Sequence, residues 1–156
     1  MKRIGILGDI GSGKSYIAKN FGYPVFDADK EVSEIYRKDK KIFLKLKKVL
    51  PDYFVEFPIK KNEIIKAILR ETNNLEKIIK IVHVEIRKKL KSFIKKNKNE
   101  KFVILDIPLL LENKINTSKD ILIYVESMKS EILKKLKKRP NYNKKLINKF
   151  RKLQLS

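Results

Sequence analysis

The chain has no cysteine, one histidine, and only five glycines and five prolines in 156 residues. Lack of cysteine excludes disulfide frameworks and thiolate zinc sites and is compatible with a reducing compartment. With no thiolate to join it, the lone His83 cannot assemble a zinc site. Long apolar runs are missing too: nothing approaches the roughly 18 residues that span a bilayer. The start, MKRIGILGD, runs into a glycine loop where a signal peptide would need a small-residue cleavage site. A cytoplasmic protein without membrane contact is therefore expected.

Arginine is also scarce. The formal net charge is +21, yet only six of the 39 basic residues are arginine: Arg3, Arg37, Arg70, Arg87, Arg139 and Arg151. Strong positive charge suits phosphate neutralisation on nucleic acid. Base-edge readout and bidentate phosphate clamps, however, use arginine. Lysines spread over nearly every helical pattern read as a solvated surface, so a nucleic-acid partner is not expected.

What is present is concentrated near the start. GDIGSGKS, residues Gly8 to Ser15, satisfies the phosphate-loop pattern G-x-x-x-x-G-K-[ST] at every fixed position. The apolar run from Arg3 to Leu7 predicts a strand feeding the loop, and Ile17, Ala18 and Phe21 recur at helical spacing after it. Strand, loop and helix in that order let backbone N–H groups converge on one anion, which predicts an α/β nucleotide-binding fold. Lys14, beside glycines at a loop–helix junction, is hard to explain except as a phosphate ligand.

GYPVFDAD follows, with a turn, a brief strand at Val25 and Phe26, and carboxylates Asp27 and Asp29 two residues apart. In an extended segment both lie on one face, at a strand end where open α/β sheets hold ligands. A helix N-cap explains Asp29, and a strand-end turn Asp27, equally well. Residues Lys30 to Lys96 then show a lysine-rich helical pattern, interrupted near LPDYFVEFPIKKN. Its length predicts an inserted helical subdomain. Tyr53, Phe54 and Phe57 fit either a pocket lining or local core packing.

VILDIPLLLEN predicts a strand from Phe102 to Leu105 ending in Asp106, the Walker B arrangement in which the carboxylate serves Mg²⁺ beside the loop serine. ILIYV predicts another strand over Ile121 to Val125, and two basic helical segments break at Pro140. His83 lies on a helix whose apolar side carries Ile78, Ile81, Val82 and Ile86, a setting that also suits a boundary histidine. Arg139 suits either a charge at a helix C-terminus or a lid cation over a triphosphate.

Taken together, GILGDIGSGKS, YPVFDADK, IVHVEIRK, VILDIPLLLEN, ILIYV and the basic segment ending at Arg139 resemble the dephospho-coenzyme A kinase family along essentially the whole chain. The resemblance implies a P-loop NTPase three-layer fold with a mostly parallel sheet, an inserted helical substrate subdomain and a helical lid. Residues 1–29 and 101–126 would form the nucleotide core, 30–100 the coenzyme A subdomain, and 127–156 the lid and an incomplete C-terminal region. It implies ATP and Mg²⁺ as cofactors, dephospho-coenzyme A as substrate, and phosphorylation of its ribose 3′-hydroxyl; a monomer is favoured.

On this resemblance Gly8, Asp9, Ile10, Gly11, Ser12, Gly13, Lys14, Ser15 and Tyr16 hold the nucleotide, and Ser15 and Asp106 the metal. Asp27, Asp29, His83, Arg87, Pro108, Leu109 and Glu112 line the acceptor side, with Lys14, Asp29 and Arg139 catalytic. The chain departs from the family at Asp9, where a glycine is usual, and at Lys61, Val84 and Lys135. It also stops soon after Gln154, short of the family's last strand and terminal helix, which implies either a truncated product or a fold with an exposed sheet edge. Rival readings are another small-molecule kinase for a nucleotide or sugar, a basic nucleic-acid-binding P-loop protein, and a catalytically inactive relative.

Overall fold

The computed structural model describes residues 1–110, 113–140 and 142–154. Four strands of the described residues form one parallel sheet in the order β2-β3-β1-β4: β1 is Lys2–Gly8, β2 Val25–Asp27, β3 Phe102–Asp106 and β4 Ile121–Val125. Among the described residues seven helices accompany them: α1 (Lys14–Asn20), α2 (Ala28–Lys38), α3 (Lys40–Val49), α4 (Lys61–Arg70), α5 (Asn74–Lys96), α6 (Lys129–Lys137) and α7 (Lys144–Leu153). The α/β class and the parallel sheet match the expectation.

The chain divides into two compact units, one of residues 1–28 and 92–156 and one of residues 29–91. In the first, Ile4, Ile6, Ala18, Ile104 and Val125 form the core, with Ile17, Phe21 and Phe102 packed against it. Strands buried on both faces are continuous apolar runs, and β3 reads FVILD with all but its first residue buried. Gly5 serves close packing: a Cβ there would stand 2.6 Å from Leu110 Cδ2. Arg3 ties β1 to the loop after β3, donating to Ile115 O at 3.0 Å and to Asp120 Oδ2 at 2.9 Å.

The second unit is helical. Phe54 is fully buried, and Phe57 packs on Phe43 with ring centroids 5.7 Å apart. The aromatic cluster is therefore core packing rather than a pocket lining in the case of Phe54. Ile78, Val82 and Ile86 of α5 are buried, as their helical spacing predicts, while Ile81 is half-buried.

Candidate active site

The parallel register decides which side chains meet. Asp27 and Asp106 are Cα partners at the carboxyl ends of β2 and β3, and β1 leads directly into the glycine loop. Parallel sheets expose ligand-binding loops at that end. The loop needs its glycines. Gly8 has φ +145, and a Cβ on it would lie 2.5 Å from Val125 O and 2.8 Å from Ser12 Oγ. Gly11 has φ +84, and its Cβ would press on Leu136 and Ile132 of α6 at 3.0 and 3.2 Å. Such angles disfavour any other residue.

Side-chain contacts complete the loop. The Lys14 ammonium donates to Gly8 O at 2.8 Å and Asp9 O at 2.9 Å, so its charge is held over the loop backbone. Ser127 Oγ donates to Ser12 O at 2.8 Å, anchoring the loop to the segment after β4. Lys135 joins the cluster from α6: a Cβ built on Gly13 would be 3.8 Å from its Nζ. Ser12 is buried, and its hydroxyl has no hydrogen-bond partner among the described residues.

Ser15 Oγ donates to Asp106 Oδ2 at 2.6 Å, joining the loop's last residue to the end of β3. Burial pushes the Asp106 carboxyl above its ordinary range, with neighbouring Asp27 adding to the rise. The Ser15 hydrogen bond and the charges of Lys14 and Lys19 pull the other way. A hydroxyl and a buried carboxylate in contact, with a second carboxylate alongside, are the hard oxygen donors that Mg²⁺ takes together with substrate phosphates. The donor set fits that ion.

The remaining sequence candidates fall in different places. Asp29 is not an N-cap: α2 begins at Ala28, so Asp29 sits in its first turn, where a carboxylate also meets the helix dipole favourably. Asp29, His83 and Arg87 belong to the second unit, on α2 and α5. Burial, then the charge of Arg87, lowers the His83 pKa, and its Nε2 is buried without a hydrogen-bond partner among the described residues. Tyr16 is exposed in the first turn of α1.

Pro108 is exposed, whereas Leu109 is buried with φ +56, and its carbonyl accepts from both the backbone and side-chain amides of Asn113 at 3.0 Å. Arg139 lies in the turn beyond α6, with its side chain exposed. Glu112 lies outside the described residues. Sequence reading missed Ser127 and also Arg151, whose Nε donates to Asp9 Oδ1 at 3.2 Å from 142 positions away. No local pattern announces a contact of that separation.

Comparison with known proteins agrees with the geometry. The family model for dephospho-CoA kinase matches residues 2–156. A dephospho-CoA kinase from Wolbachia sp. subsp. Brugia malayi is 34% identical, with 97% of this chain aligned to 80% of the relative. One from Rickettsia bellii is 31% identical over the whole of this chain and 81% of its own. Among solved structures, TT1252 from Thermus thermophilus superposes with a TM-score of 0.77 at 25% identity, covering 99% of this chain and 80% of that one.

Proposed function

The chain belongs to the dephospho-CoA kinase family, and on that premise we propose that it transfers the γ-phosphoryl group of ATP to the ribose 3′-hydroxyl of dephospho-CoA. The products are coenzyme A and ADP, the last step of coenzyme A biosynthesis. One observation carries the reading: the Ser15–Asp106 contact that closes a glycine loop already holding Lys14. A phosphate loop joined to a buried strand-end carboxylate is the minimal apparatus for phosphoryl transfer.

The chemistry divides accordingly. The acceptor oxygen forms a bond to the γ-phosphorus as the bond from that phosphorus to the bridging oxygen of ADP breaks, and the hydroxyl proton leaves for a base. Little covalent help is needed, so alignment and charge neutralisation dominate. The N–H groups from Gly11 to Ser15 hold the phosphates, and the Lys14 ammonium exchanges its carbonyl partners for phosphate oxygens. Lys135, close to Gly13, and Arg139 in the turn after α6 add positive charge. Ser15 and Asp106 would hold Mg²⁺, which when bound neutralises charge on the phosphates.

Asp29 takes the proton from the 3′-hydroxyl or orients it, and Asp27, the register partner of Asp106, serves the acceptor as well. His83, neutral because burial lowers its pKa, and Arg87 bind the acceptor, as do Pro108, Leu109 and Glu112. Residues 30–100 are assigned to coenzyme A binding, residues 30–91 of them lying in the second unit, and residues 127–156 to the lid. No helix among the described residues is long and apolar enough to cross a membrane. We assign the reaction to the cytoplasm and to a monomer.

Mass spectrometry of products after incubation with Mg·ATP and dephospho-CoA, with AMP and a sugar as parallel acceptors, tests this reading. Coenzyme A formed from its own precursor alone is the expected result. Phosphorylation of AMP or the sugar instead, or no product with any acceptor, would overturn it.

A further inference from the structure

Asp9 is the single acidic residue in the loop from Gly8 to Ser15. A carboxylate in an anion site repels the anion it should help to bind. In the structure this side chain is fully engaged on one oxygen: Asp9 Oδ1 accepts from Ile10 N–H at 2.7 Å and from Arg151 Nε at 3.2 Å. The first bond turns the carboxylate back along its own backbone. The second brings a guanidinium from α7 to the mouth of the loop.

We propose that Arg151 is a positioning residue for ATP: it neutralises Asp9 and holds its carboxylate against Ile10 N–H, making an acidic phosphate loop compatible with a polyanion. The proposal rests on the reading of this loop as the ATP site. Three features support it. Arginine is rare in this lysine-rich chain, and a planar guanidinium fixes a carboxylate's orientation where a lysine supplies only a point charge. Arg151 is exposed and Asp9 half-buried, with side-chain exposures of 41% and 35%, so the pair is screened by solvent but not fully hydrated on both sides. The two residues belong to the same compact unit, and their separation in sequence makes the pair a tertiary contact rather than a helix-surface coincidence.

A mutant cycle on the full chain separates compensation from other roles, because a cycle isolates the pairwise term. ATP affinity by titration calorimetry with Mg²⁺ present, and KM for ATP beside kcat, are measured for wild type, Arg151→Gln, Arg151→Lys, Asp9→Gly and the Asp9→Gly/Arg151→Gln pair. Arg151→Gln is expected to weaken ATP binding by about five- to tenfold, the scale of one uncompensated charge near a polyphosphate in a solvent-exposed site. The rise appears in KM with kcat unchanged, and Arg151→Lys recovers most of it. With Asp9 replaced by glycine, losing Arg151 changes affinity by less than about twofold, because nothing remains to compensate.

An equal loss in both backgrounds would show that Arg151 acts on the nucleotide or the fold directly and would overturn the proposal. So would no loss in either background, or a loss confined to kcat. Failure of the wild type itself to bind ATP would instead sink the assignment of the loop, and the proposal with it.

Discussion

Asp106 in the sheet unit and Glu34 in the helical unit are both carboxylates in a lysine-rich protein, yet their surroundings shift them in opposite directions. Burial raises the Asp106 pKa, while Lys38 and then Arg37, bonding to its side chain, bring Glu34 down to about 2. Glu34 is the ordinary outcome of charge pairing on a solvated helix, one turn from its partners. Asp106 is held in a setting that disfavours its charged form, and that cost makes sense where a cation is to be bound. Lysine abundance therefore explains the surface of the helical unit and says little about the sheet unit, where strand ends and loop geometry place the charges.

Breaking the sheet side of the comparison produces the largest effects. Lys14→Ala is expected to lower kcat/KM by about a thousandfold or more, because it removes charge stabilisation made at the transferring phosphoryl group. Steady-state kinetics with saturating dephospho-CoA checks this. Asp29→Asn should cost less, since proton removal contributes less than charge neutralisation in this chemistry. Equal or reversed losses would sink that ranking.

Gly8→Ala comes next, and it acts on the fold. The added methyl meets Val125 O at 2.5 Å on a backbone with φ +145, so destabilisation of about 2–4 kcal/mol is expected by denaturant titration. The smallest effect belongs to the helical unit: Glu34→Gln should leave turnover unchanged and lower Tm at neutral pH only slightly, because an exposed ion pair contributes little. Its ion-pair contribution is present above the ordinary value of 4.5 and fades as pH falls toward about 2. A clear loss of activity in Glu34→Gln would blur the contrast between the two units.

The contrast was only partly legible in the sequence. Strand, loop and helix at Arg3 to Phe21 were readable because a phosphate loop fixes residue types at consecutive positions, and β3 and β4 stood out as short apolar runs. Walker chemistry pointed to Ser15 and Asp106 as neighbours at one metal site, while their direct hydrogen bond across 91 positions was not foreseen. Asp29 was harder: a carboxylate at a strand–helix junction fits a cap or a first turn alike, and only the observed start of α2 at Ala28 separates them. The burial of Phe54 could not be told from a pocket lining, since both need an aromatic beside a proline-marked loop. Arg151 was invisible because its partner is set by how α7 returns to the loop, which no local period encodes.

Asp106→Asn tests the central claim most directly, with turnover and thermal stability measured side by side from acid to neutral pH. In the wild type the folded pKa lies above the ordinary 3.8, so the folded state gives up stability as pH rises through the interval between those values. On the proposed metal-holding role of Asp106, activity is expected to need the carboxylate and to fall as pH drops through the raised value. Asparagine can still accept the Ser15 hydroxyl but carries no charge to bury. Turnover is expected to fall about a hundredfold or more, with Tm at neutral pH held or raised. A variant that keeps its turnover while its Tm falls would contradict it, because Asp106 would then be a structural carboxylate like any other.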